Sequence, residues 1–272
     1  ITNYTINPDG SIDVDGDVRI SDRRLKEIPL KFRNVSGNFD CSLNQLTTLK
    51  GAPKSVGGWF DCHGNQLTTL MGAPQSVGDS FSCSWNELTT LRGAPQSVYG
   101  DFDCSNNQLT TLRGAPKSVD GGFYCSDNQL TTLRGAPQSV HGDFYCSWNQ
   151  LTTLIGAPKS VPGDFDCSDN KLATLIGAPK SIRGVFDCGR NKLTTFEGSP
   201  QSVGGKFYCS GNPVYNIWKL FEDPSKIELF NDMDIIRETD NGEPAIILDR
   251  LNDFLIQIGK DPVSGVDGYI NI

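Results

Sequence analysis

Phe60-Asp61-Cys62-His63-Gly64-Asn65-Gln66-Leu67-Thr68-Thr69-Leu70-Met71-Gly72-Ala73-Pro74-Gln75-Ser76-Val77-Gly78-Asp79-Ser80 is one complete phrase of this chain, and Phe81 begins the same phrase again. Cysteine fixes the period: Cys41, Cys62, Cys83, Cys104, Cys125, Cys146, Cys167, Cys188 and Cys209 follow one another at intervals of 21 residues, and they are all 9 cysteines of the chain. A period of about 20–50 residues carried through many copies marks a solenoid, whose units bury their apolar faces only against one another. The other positions repeat in phase. A Phe stands two before each Cys (Phe39 to Phe207) and an Asn three after it (Asn44 to Asn212). Leu or an equivalent follows at five and eight (Leu67, Leu70), Gly-Ala-Pro at ten to twelve (Gly72, Ala73, Pro74) and Val at fifteen (Val77).

Phe and Cys two apart share one face of a short strand, so stacking the coils builds a Phe ladder and a Cys ladder inside the solenoid. The Asn caps backbone groups where the strand turns. Two Leu three apart predict a 3₁₀ turn or loose helical turn on the far side. Gly and Pro stop that segment, and Val returns the chain to the core.

These residues resemble the leucine-rich repeats. Of the pattern L-x-x-L-x-L-x-x-N-x-L, Phe60, Cys62, Asn65 and Leu67 occupy the second to fifth marked positions, while the first Leu is missing because the Val lies one residue too early. The resemblance spans residues 18–217, and the short unit with its Pro is similar to the bacterial type III effector subclass. The phrase G-A-P-x-S-V-x-G-x-F-x-C-S-x-N-x-L-T-T-L also resembles proteins of large tailed phages. The resemblance implies an α/β repeat solenoid: a curved, right-handed superhelix with a parallel concave sheet, closed by an N-terminal β cap and a small helical C-terminal cap. Some effectors of that subclass carry a ubiquitin-ligase domain with a catalytic Cys after the repeats. Here the last cysteine, Cys209, lies inside them, so that activity is not expected.

The expected organisation is an N-terminal cap over 1–37, repeats over 38–212 and an α-helical capping subdomain over 213–272. A divergent first copy places Ile20, Leu25, Ile28 and Val35 each 21 residues before Cys41, Leu46, Leu49 and Val56, with Arg23 in the place of the Asn. Before it, Asn7-Pro8-Asp9-Gly10 separates two short alternating segments, as in a hairpin. From Pro213 helix signals take over: Val214, Ile217, Trp218 and Phe221 at helical spacing, then a helix over Pro244–Ile258 with Pro in its first turn and Gly259 just beyond. Its apolar stripe is Ile247, Leu248, Leu251, Phe254, Leu255 and Ile258. Gly268–Ile272 reads as a strand.

Composition and spacing exclude several functions. Lys plus Arg is 24 against Asp plus Glu 32, a net charge of −8, which argues against direct nucleic-acid binding through phosphates. No apolar run reaches the roughly 18 residues of a membrane span. Ile1 to Ile20 carries no export signal, so a cytoplasmic location is expected. A zinc site needs about four convergent N or S ligands, whereas the chain holds only His63 and His141 beside a one-dimensional row of cysteines. Neighbouring coils set equivalent Cβ atoms about 4.7–4.9 Å apart, against about 3.8 Å in a disulfide, so the thiols are read as buried small hydrophobes. No cofactor, metal or catalytic residue is expected, and neither a Ser-His-Asp set nor a phosphate loop can be assembled. The chain is read as non-enzymatic.

Function is therefore sought where the copies differ. Flanking residues of the strand point out of the sheet. One before Cys stand Asp40, Asp61, Ser82, Asp103, Tyr124, Tyr145, Asp166, Asp187 and Tyr208. Three before it come Asn38, Trp59, Ser80, Asp101, Gly122, Asp143, Asp164, Val185 and Lys206. Two after it come Leu43, Gly64, Trp85, Asn106, Asp127, Trp148, Asp169, Arg190 and Gly211. Three of the 4 tryptophans thus fall on one expected surface. The candidate partner site is Trp59, Asp61, Trp85, Asp101, Asp103, Tyr124, Asp127, Asp143, Tyr145, Trp148, Asp164, Asp166, Asp169 and Tyr208. Acids would steer and pair with a basic protein or peptide while the aromatics supply buried anchors. The plainer alternative is a solvated face whose acids keep it soluble. Two more remain open: a nucleic-acid mimic that occupies a DNA-binding protein, and a structural or assembly protein acting through its C-terminal subdomain. A monomer is favoured.

Overall fold

A computed structural model describes residues 3–272; Ile1 and Thr2, part of the expected hairpin segment, lie outside the described residues. Each coil carries one two-residue strand at Phe, such as Phe60–Asp61, Phe102–Asp103 and Phe123–Tyr124. These strands and Val18–Arg19 of the divergent first coil join into one 10-stranded parallel sheet. The register is the repeat itself, with Phe102 paired to Phe123 and Phe123 to Phe144. The amides of Phe, of Cys and of the residue two after Cys donate to the next coil, as in Phe123 N to Asp143 O at 2.8 Å and Cys125 N to Tyr145 O at 2.8 Å.

Inside, the Phe rings run as a column with centroids 5.2 to 5.7 Å apart from Phe39 to Phe123. The cysteines are free and buried, and desolvation holds the Cys104 and Cys146 thiols well above their ordinary pKa. Each Asn cross-braces two coils. Asn128 Nδ2 donates to Cys104 O, Cys125 O and Ser126 O at 3.1 to 3.2 Å, and its Oδ1 accepts from Leu109 N at 2.9 Å. An amide that satisfies several buried backbone groups at once is hard to replace, which accounts for its return in every coil.

Two sequence expectations change. The Leu-Thr-Thr-Leu segment contains neither 3₁₀ nor α-helix; it passes as bends and turns. The Val side forms further short parallel strands instead, such as Ser97–Val98, Ser118–Val119 and Ser139–Val140 in one three-stranded sheet. Gly at the turn before them takes a left-handed φ, and a Cβ on Gly156 (φ +105) would stand 2.4 Å from Leu133 O of the previous coil. The turn is thus fitted closely to the coil beneath it.

At the N-terminus, Tyr4–Ile6 and Ile12–Val14 form an antiparallel hairpin, and Ile12–Val14 continues in parallel onto Phe32–Val35. At the other end come α1 (Tyr215–Phe221), a short 3₁₀ turn (Pro224–Lys226), α2 (Ile227–Asp232) and α3 (Leu248–Gln257). Pro244 does not open the last helix: Pro244–Ile246 is a strand, antiparallel to Ile236–Glu238 and parallel to Ile270–Asn271. The proline thus sits at the start of a strand, where its missing N–H is tolerated. Phe196, standing where earlier coils carry Leu, meets Phe207, Trp218, Phe221 and Phe230 edge to face. That aromatic plug closes the apolar interior.

Candidate functional site

The surface of the 10-stranded sheet carries three columns, and the structure gives each a backbone duty that spacing alone did not show. Five aspartates one before Cys each accept the amide two residues on: Asp40 from Ser42, Asp61 from His63, Asp103 from Ser105, Asp166 from Ser168 and Asp187 from Gly189, at 2.8 to 3.1 Å. This is the Asx turn that ends the strand. The column three before Cys braces coil to coil. Asp101 Oδ1 accepts from Gly122 N, Asp143 Oδ1 from Asp164 N and Asp164 Oδ1 from Val185 N, at 2.7 to 2.8 Å. Each carboxylate therefore spends one oxygen on architecture. The second oxygens of Asp101, Asp103, Asp164 and Asp166 have no hydrogen-bond partner among the described residues.

The column two after Cys lies in the turn beyond the strand, at the margin of the sheet, and is left-handed throughout: Trp85 φ 54, Asn106 φ 56, Asp127 φ 54, Trp148 φ 53 and Asp169 φ 54. Gly64 and Gly211 take the same conformation, which costs them nothing, whereas a bulky L-residue there is strained. Trp85 is nevertheless 65% exposed and Trp148 57%. Asp169 is not free for a partner. Arg190 grips it at 2.7 and 2.8 Å and lays its guanidinium 6.0 Å from the Trp148 ring centroid.

Mid-sheet, Tyr124 and Tyr145 pack edge to face with centroids 5.3 Å apart. Gly122 makes the space: a Cβ there would stand 2.3 Å from the Tyr124 hydroxyl. Burial first, then the charges of Asp101 and Asp143, push the Tyr124 phenol up to about 12. Burial and the carboxylates of Asp143 and Asp164 raise Tyr145 as well. Two tyrosines thus stand neutral inside a ring of carboxylates.

The remaining sequence candidates are dispersed. Trp59 is half-buried near the N-terminal end and lines a small cavity with Asp17, Val18, Arg19, Asn38 and Asp40. Asp61 is bound to the His63 ring at 2.8 Å. Asp127 is exposed, and Tyr208 is exposed on the last strand beneath the Lys206 ammonium, 5.9 Å away. The structure brings Asp101, Asp103, Tyr124, Asp143, Tyr145, Asp164 and Asp166 together on neighbouring strands, with Trp85 and Trp148 at the margin. Sequence reasoning missed Gly122 and Arg190. The first was legible as the one Gly in its column, the second as the one cation in its own.

No group of three His, Cys, Asp or Glu is arranged to hold a metal among the described residues. Nor, among those residues, is any helix long and apolar enough to cross a membrane.

The coils define a solenoid of stacked parallel strands with a 21-residue repeat, an architecture whose stacking creates extended surfaces. Among solved structures it is similar to YopM from Yersinia enterocolitica WA-314, at 15% sequence identity and a TM-score of 0.37, over 72% of this chain and 64% of that one. The match thus spans a little under two thirds of YopM. No family model matches the chain, and neither does any curated protein.

Proposed function

We propose that the chain is a non-enzymatic protein-binding module whose Phe-strand sheet face takes up a basic protein or peptide. The observation that carries this reading is the pair Trp85 and Trp148, large aromatics held exposed at strained left-handed positions where Gly64 and Gly211 serve the fold without strain. Strain kept at a solvent-facing residue points to use rather than to packing. Between them, Tyr124 and Tyr145 supply flat apolar area, and the free oxygens of Asp101, Asp103, Asp164 and Asp166 supply directed negative charge.

The aspartate hydrogen bonds narrow the sequence-level candidate set. Asp169 and Asp61 serve their neighbours, so the binding charge falls on the carboxylates around the tyrosine pair. The phage-like phrasing of the coils supports a role as an inhibitor or adaptor directed at a host protein in the host cytoplasm. The division into 1–37, 38–212 and 213–272 belongs to the same reading, with recognition on the middle segment and closure at both ends.

The test is quantitative capture from bacterial lysate by the wild type and by the Tyr124→Ala/Tyr145→Ala/Trp148→Ala variant, at low and high salt. A stoichiometric basic partner that is lost in the variant and weakened by salt supports the reading. Equal capture by both proteins overturns it. Competition by duplex DNA for a captured partner assigns the face to nucleic-acid mimicry instead.

A further inference from the structure

The ladder that joins the coils ends with donors unspent. From the first coil to the ninth, three amides per coil donate to carbonyls of the next; the last such set is Phe186 N to Lys206 O at 2.9 Å, Cys188 N to Tyr208 O at 2.8 Å and Arg190 N to Ser210 O at 2.8 Å. In the same register the amides of Phe207, Cys209 and Gly211 face the far side. They have no hydrogen-bond partner among the described residues. A row of unpaired strand amides is a template for another strand.

The C-terminal elements seal the core there but not this edge. Trp218 stacks on Phe207, with centroids 4.7 Å apart and planes at 25°, where a further coil would have placed its Phe. Beside it a cavity of about 440 Å³ lies between the last strand and α1, lined by Lys206, Tyr208, Cys209, Tyr215, Trp218 and Glu222. Tyr215 and Trp218 of α1 form the far wall, on the side where a further coil would stand.

We propose that this edge is a strand-addition site that takes one extended peptide, parallel to Phe207–Tyr208, as the eleventh strand of the sheet. The peptide's carbonyls receive the three amides, and its side chains are chosen by register. An acidic residue stands opposite Lys206, whose ammonium has no ion-pair partner among the described residues, because opposite charges on adjacent strands attract. The residue after it, in the Phe column, is small, because Trp218 already fills that column. This site is separate from the tyrosine–aspartate face.

The test uses the full chain, ¹⁵N-labelled, with a blocked synthetic peptide Gly-Asp-Ala-Asp-Ser-Ser-Asn. This peptide is the strand of residues 100–106 carrying Phe102→Ala and Cys104→Ser. Saturating peptide is expected to slow amide exchange at Phe207, Cys209 and Gly211 by about tenfold or more, the signature of new ladder bonds. A second peptide with Lys in place of the first Asp is expected to bind more weakly, and Lys206→Glu, an exposed substitution, to invert that order. No slowing at millimolar peptide, or an unchanged order in folded Lys206→Glu protein, overturns the proposal. Slow exchange at these amides without peptide, together with a doubled sedimentation mass, assigns the edge to a second copy and overturns it equally.

Discussion

The coils and the C-terminal segment solve the same problem by opposite means. In the coils, the buried groups are answered by the neighbouring coil at a fixed offset: Phe by Phe and strand by strand 21 residues away, Asn by the Leu and Cys backbone 19 and 24 residues back. In the C-terminal segment nothing repeats. Phe221, Phe230 and Phe254 meet at 5.2 to 5.8 Å from three different helices, and the segment is tied back to the solenoid by single bonds such as Tyr269 hydroxyl to Thr194 O at 2.8 Å. A periodic core therefore has stability that adds coil by coil, while the plug stands or falls as one packed cluster.

The sharpest way to break that contrast is to empty each core once. Phe123→Ala removes a fully buried ring from the middle of the column and is expected to cost about 3–5 kcal/mol in urea denaturation, loosening coils on both sides. Phe254→Ala is expected to cost about as much locally yet to leave amide protection in the central coils intact. Loss of protection throughout would show that the plug governs the whole solenoid.

Asn128→Ala comes next. It leaves Leu109 N without an acceptor and takes one donor from Cys104 O, Cys125 O and Ser126 O, which keep their bonds from Asn107, Asn149 and the Asn106 amide. A loss of about 1–3 kcal/mol is expected from the buried amide left without a partner. Asn212→Ala strands both Leu193 N and Cys209 O, which no following coil serves with a second Asn, and is expected to cost at least as much; a clearly smaller loss would show that the ladder is weakest at its end.

A smaller effect depends on pH. Burial, more than its neighbours' charges, raises the Asp187 carboxyl above its ordinary 3.8. A raised folded pKa means that the folded state holds the proton more tightly, so this group favours folding at acid pH and that contribution is lost as pH rises through the raised value. Asp187→Asn is therefore expected to raise the thermal midpoint at pH 7, and the gain should vanish below the ordinary carboxylate pKa of about 3.9. An unchanged midpoint at pH 7 would mean that the Gly189 amide bond offsets the burial.

The smallest change is expected to be a gain. Trp85→Gly relieves a left-handed tryptophan and should stabilise the fold by about 1 kcal/mol while weakening capture of a partner. A net loss of stability would make Trp85 a structural residue.

How much of this was legible follows from the same contrast. Phe, Cys and Asn announce the coil because each occupies one environment nine times over, and Leu follows them in all but the last coils. The Ser-Val strands were hidden, since Ser76–Val77 is too short to show alternation and only the Val is buried. Pro244 obeys two rules, first turn of a helix and start of a strand, and only its pairing with Glu238 decides between them. The acidic columns were read as surface chemistry, although Asp103-Cys104-Ser105 already carries the Asx-turn signature, an Asp poised to bond the amide two residues on. What remained beyond the sequence was the row of unspent amides in the last coil, because it depends on what a neighbouring coil fails to do.

The left-handed turn at the strand's end makes this molecule a ruler. Because every coil closes through the same turn, a 21-residue insertion or deletion returns the chain to the same phase and lengthens or shortens the stack by one strand spacing, about 4.8 Å. The separation between the tyrosine pair and the open edge at Phe207 can therefore change only in whole steps. Relatives that differ in coil number would carry the same two surfaces at graduated distances, with no other part of the fold redrawn.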